Sequence, residues 1–207
     1  YAKFLYERDS GSDDYRLLKI LISAYFETKE FAKDILHVDD CRALEPRVLP
    51  FLTYITNNKK ISNKVKVISW NYDRQFEIAA DTHRLRGKSK DLFPGFGAWP
   101  NEMDGYPNSE LPFLIHMNGV AGFKYNQNGY HFCEKIQDEV DWIIDFNTKD
   151  PLISYAWEDT TLDPHNIFLS KRKKIALKMI AGSTILVVIG YSFPFFNRFF
   201  DNELFTT

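Results

Sequence analysis

The run Ile185-Leu186-Val187-Val188-Ile189 is the longest apolar block in the chain. Its consecutive apolar, mostly β-branched residues leave no polar side for water, so the block reads as a strand buried on both faces. Such a strand belongs to a parallel sheet with helices packed above and below it. The flanks agree: residues 164–181 read as a helix, and a new helix follows Pro194. At five residues the block is far short of the roughly 20 that a membrane-spanning helix needs. The chain is therefore expected to form an α/β layer fold with a mainly parallel sheet and helices on both faces.

Other segments fit that plan. Residues 15–36 carry an apolar stripe at helical spacing, including Leu17, Leu18, Ile20, Leu21, Tyr25 and Phe26. Residues 46–57 read as a second helix, with Pro46 suited to a first turn and Val48, Leu49, Leu52 and Ile55 on one face. In residues 64–81, Val65, Val67 and Ile68 form a strand that stops at Ser69-Trp70-Asn71-Tyr72-Asp73. A helix then opens with Phe76, Ile78, Ala79 and Ala80. Residues 112–119, PFLIHMNG, read as another short strand, and 134–147 as a helix. Residues 82–112 are rich in Pro, Gly, Asn and Asp, which is loop chemistry. The aromatics within that stretch (Phe93, Phe96, Trp99, Tyr106) predict a packed lid or an insertion within one domain spanning 1–207.

Composition narrows the function classes. A formal net charge of -2 gives no global attraction to nucleic acid or anionic lipid. Cys41 and Cys133 are isolated, which predicts no disulfide framework and no zinc knuckle built from cysteines alone. No signal segment opens the chain, and the expectation is a cytoplasmic protein. The start at Tyr1 and the stop at Thr207 read as the ends of a fragment.

In α/β sheets ligands bind beyond the carboxyl ends of the strands. Three expected strand ends carry polar residues or glycine: Asn71-Tyr72-Asp73, His116 to Gly119, and Gly190 to Ser192. Each has an ordinary structural explanation. Asn71 and Asp73 can cap the following helix. His116 can be a hydrogen-bonded strand residue, Asn118-Gly119 a turn dipeptide, and Gly190 the start of a tight turn. Their order along the chain is more informative than any one of them.

The segments ISWNYDRQFE, LIHMNG and ILVVIGYSFP resemble, in that order, the sirtuin-like domains of the divergent bacterial branch. Their counterparts there read T-N-Y-D, K-L-H-G and a strand ending G-Y-S. The resemblance covers Val65 to the C-terminus. It implies a Rossmann-like three-layer domain that binds NAD and acts at the nicotinamide–ribose bond. Asn71 would orient water or ribose, with Asp73 fixing the nicotinamide side or the loop. Ser69, Trp70 and Gly119 would join the cofactor-binding edge, and Gly190 and Ser192 would line the phosphate and ribose region. Tyr72 would be packing.

The histidine segment aligns in two ways. Matched on its first residue, His116 is the catalytic histidine; matched on its glycine, Asn118 takes that position. The strand period of two turns both to the same side. An Asn can orient a hydroxyl but cannot act as a base near neutral pH. The family's Gly-rich G-A-G turn is expected upstream of Tyr1. The two cysteine pairs of the zinc-bearing deacylases are absent, so neither zinc nor protein deacetylation is expected. The resemblance thus implies an NAD hydrolase releasing ADP-ribose and nicotinamide, serving as effector within a larger bacterial anti-phage defence protein or assembly. The alternatives are a catalytically silent domain that binds NAD or ADP-ribose, and a domain used only for protein assembly.

Overall fold

A computed structural model describes residues 12–36, 46–57, 60–82, 113–126, 129–132, 141, 150–155, 158, 165–191 and 198–206. Helix α1 spans Asp13–Leu36 and α2 spans Val48–Ile55. Strands β1 (Thr56–Asn57), β2 (Lys60–Ile61) and β3 (Val67–Ser69) follow, then α3, Gln75–Thr82. Strands β4 (Leu114–His116), β5 (Gly119–Asn126), β6 (Gly129–Phe132) and β7 (Asp150–Ile153) come next. Helices α4 (His165–Ala181) and α5 (Arg198–Phe205) complete the order. Helices expected from the apolar spacing at 15–36, 46–57 and 164–181 are present, with ends shifted by a few residues. The stretches 83–112 and 134–147, apart from helical Asp141, lie outside the described residues, as do Cys41, Cys133 and Ser192.

β3 and β4 pair in parallel, Val67 with Leu114, Ile68 with Ile115 and Ser69 with His116. Side chains alternate across this pair, so each strand feeds two cores. Val67 and Leu114 pack with Leu52 of α2 and with Ala79 and Ala80 of α3. Ile68 and Ile115 turn the other way, onto Ala176 and Met179 of α4 and Leu204 of α5. Leu114 and Ile115 are fully buried, each contributing about 1.5–3 kcal/mol. Helices therefore cover both faces of a parallel pair, which is an α/β arrangement.

The expected mainly parallel sheet is seen only in that pair. The other pairings among the described residues are antiparallel: β1 with β2, and β5 with both β6 and β7. Connection length explains this. Only Met117 and Asn118 separate β4 from β5, whereas a parallel crossover needs a dozen or more residues. Gly119, at φ 89°, lets the chain turn there. Helix α1 packs on β5 and β7. Lys19 of α1 meets Glu158 at 2.7 Å, and the Tyr15 hydroxyl donates to the same carboxylate at 2.8 Å.

The buried strand expected at 183–189 is not formed. Ile185 to Ile189 lie in no strand, and Ile185 and Ile189 are 79% and 78% exposed. Five apolar residues set a preference for extended backbone, but burial needs neighbouring strands. Among the described residues no strand pairs with this block. The charged run Lys171–Lys174, expected to be a solvated face, is also corrected. Arg172 is 1% exposed, and Lys173 pairs with Glu203 of α5. Among the described residues, no helix is long and apolar enough to cross a membrane.

Candidate functional site

β3 and β4 end side by side, so Trp70-Asn71 and Met117-Asn118 leave the same edge of the parallel pair. The Met117 amide donates to the Ser69 carbonyl at 2.7 Å, which carries the pairing one step past the strands. Helix α3 opens just beyond this edge. The Asp73 carboxylate accepts from the Gln75 amide at 3.3 Å, so the capping role open to Asp73 in the sequence is the one its geometry displays. Glu77 sits in the first turn of α3, where the helix dipole favours an acid.

His116 joins these parts. Its Nε2 lies 2.9 Å from Glu77 Oε1 and its Nδ1 lies 3.1 Å from the Asn71 carbonyl oxygen. A carboxylate and a carbonyl both accept, so both ring nitrogens donate and the ring is an imidazolium. Burial opposes that charge. Glu77, through its charge and hydrogen bond, and the Asn71 carbonyl outweigh burial, while Arg172 works against them. The net effect holds the His116 pKa above its ordinary value. With the residue 1% exposed and both nitrogens engaged, the ring is closed to a ligand and has no lone pair with which to act as a base.

Arg172 reaches the same strand from α4, on the opposite face. Its Nη1 donates to the His116 carbonyl at 2.6 Å. Sequence reasoning missed both Glu77 and Arg172. Their signals lie in helical spacing. Arg172, Ala176 and Met179 share one buried stripe, so Arg172 points inward with them. Glu77, 6% exposed, occupies an inward position between Phe76 and Ile78.

The expected site residues separate into two kinds. Asn118 is half-buried, and its side-chain nitrogen donates to the Trp70 carbonyl at 2.9 Å. The Ser69 hydroxyl accepts from the Asn71 amide at 3.2 Å. Tyr72 packs on Phe26 and Tyr155 and donates to the Ser154 carbonyl at 3.2 Å. Burial, then Tyr155 and Glu158, push its hydroxyl pKa up, which keeps it a donor. All of these hold structure. Asn71 differs: it is exposed, and its side chain has no hydrogen bond among the described residues.

The third end arrives through Tyr191. Its ring stacks on Trp70 with centroids 4.6 Å apart, and its hydroxyl donates to Asp201 Oδ1 at 2.8 Å. Gly190 takes φ 65°, and nothing lies within 4 Å of where a Cβ would stand, so the backbone there is open to close approach. Among the described residues, no group of three or more His, Cys, Asp and Glu is placed to hold a metal ion. Comparisons with protein-family models, with curated proteins and with solved structures returned no match.

Proposed function

We propose that this chain is a Rossmann-like, sirtuin-like domain that binds NAD at the carboxyl edge of β3 and β4 and hydrolyses the nicotinamide–ribose bond. One observation carries the reading. Asn71 is exposed at the end of a parallel strand, while the polar groups around it are spent on fixing its backbone. That is where an α/β sheet meets a ligand. A side-chain amide there can orient a water or a ribose hydroxyl as positive charge develops on the sugar. Water adds to the anomeric carbon, nicotinamide leaves as a neutral base, and one proton is released with ADP-ribose. The leaving group is already cationic, so the reaction demands little of a base, in keeping with His116 having none to offer. The sequence resemblance extends the proposal to an effector role in bacterial anti-phage defence.

Nicotinamide release from NAD by the intact protein is the test, with Asn71→Ala as its control. Release that is lost in the variant supports hydrolysis. Release that is unchanged in the variant rejects Asn71 as the reacting residue. The second reading, a silent NAD- or ADP-ribose-binding domain, draws support from the closed ring of His116. It is separated by calorimetry, which would find binding without turnover. Absence of both binding and turnover rejects the two readings together.

A further inference from the structure

We infer that Glu77 and Arg172 are positioning residues that set the direction of the Asn71 side chain by clamping His116 from opposite faces of the sheet. The inference rests on the reading that Asn71 faces the ligand. The geometry of the clamp stands by itself.

Three successive backbone groups around Asn71 are tied outside any strand ladder. The Trp70 carbonyl accepts from Asn118, the Asn71 amide donates to Ser69, and the Asn71 carbonyl accepts from His116. With the groups before and after its Cα held, the φ and ψ of Asn71 are over-determined. Its Cα–Cβ bond therefore points one way while the side chain stays in solvent. A site residue held by its backbone and free at its tip is pre-organised.

Of these ties, the one from His116 is the most elaborately supported. Glu77 from α3 meets the far side of the ring, and Arg172 from α4 takes the carbonyl of the same residue. Ring and peptide are thus gripped from the two helical layers. The charged groups described around His116 are these two, Glu77 favouring the imidazolium and Arg172 opposing it. Glu77 also keeps Oε2 buried with no hydrogen-bond partner among the described residues. A carboxylate is retained in a poorly satisfied position, which costs free energy unless its charge is needed. Here the need is the second proton on His116, without which one of the two ring bonds is lost.

The test uses the intact chain with 15N-labelled histidine. The His116 ring signals are identified by their absence in His116→Gln. The expected spectrum shows both ring nitrogens protonated well above the ordinary histidine value of 6.5. Glu77→Gln keeps the shape of the side chain and removes its charge. In that variant one ring proton should be lost at the same pH, and the Asn71 amide signal should move. Nicotinamide release should fall by roughly 10–100-fold, the range that outer-shell partners carry at metal sites. The loss should fall on kcat rather than KM, because misdirection of Asn71 is felt in the transition state. Arg172→Lys keeps one charged donor and should give a smaller loss of the same kind. A neutral His116 ring in the wild type overturns the clamp, and so does an Asn71 signal unmoved by Glu77→Gln. If the wild type neither binds nor cleaves NAD, the functional reading fails, and the two spectra still decide the clamp.

Discussion

His116 is a residue whose chemical versatility has been exchanged for geometry. Its imidazolium bridges an acid on α3 and a carbonyl at the end of β3, and neither bond survives loss of the ring. Truncation to alanine would strand the Glu77 carboxylate in a buried position. His116→Ala should therefore cost about 3–5 kcal/mol, the usual result of breaking a buried ion pair from one side. Adding Glu77→Gln to that variant should recover part of the loss, since the stranded charge is gone. Urea unfolding of the two single variants and the double variant measures the coupling. Strict additivity would mean that the two residues do not form the pair described. Trp70 behaves differently. Its ring is held by stacking on Tyr191 at 4.6 Å, while its Nε1 finds no hydrogen-bond partner among the described residues.

At the scale of elements, β3 and β4 are three residues each, yet they organise four helices. Alternation does this: Val67 and Leu114 meet α2 and α3, while Ile68 and Ile115 meet α4 and α5. Removing one side of the sandwich at its centre should be severe. Ile115→Ala, at a fully buried position, is expected to cost about 2–5 kcal/mol. The block 185–189 supplies the contrast. Val187 is 71% exposed, so Val187→Lys should change stability by no more than about 0.5 kcal/mol and should improve solubility. Parallel urea melts of the two variants test this. A Val187→Lys protein as unstable as Ile115→Ala would restore the buried strand that the apolar sequence suggests.

For the molecule as a whole, the buried imidazolium couples folding to pH. The His116 pKa is raised on folding from an ordinary value of 6.5. The stability it contributes is complete below that value and is lost as pH rises through the folded-state pKa. Thermal unfolding should thus show a midpoint that declines on the alkaline side, and His116→Gln should flatten that part of the profile. A midpoint that instead rose with pH above 6.5 would have the wrong sign for a charged His116. What the sequence determined by itself was local. Helical spacing marked α1, α2 and α4, the polar stop after Ile68 marked the end of β3, and the placement of Asp73 marked its cap. These follow from side-chain period and backbone hydrogen bonding within a few residues. Tertiary structure alone decided the rest. It chose which strands pair, and left Ile185–Ile189 exposed although their composition suits a core. It drew Arg172 out of a charged run and Glu77 out of a helix turn onto one histidine. It also resolved the two alignments of the histidine segment: His116 faces inward to Glu77, Asn118 binds the Trp70 carbonyl, and both act on the backbone around Asn71. The physical reason is that burial and charge pairing depend on residues 39 and 56 positions apart, and no local period records such distances.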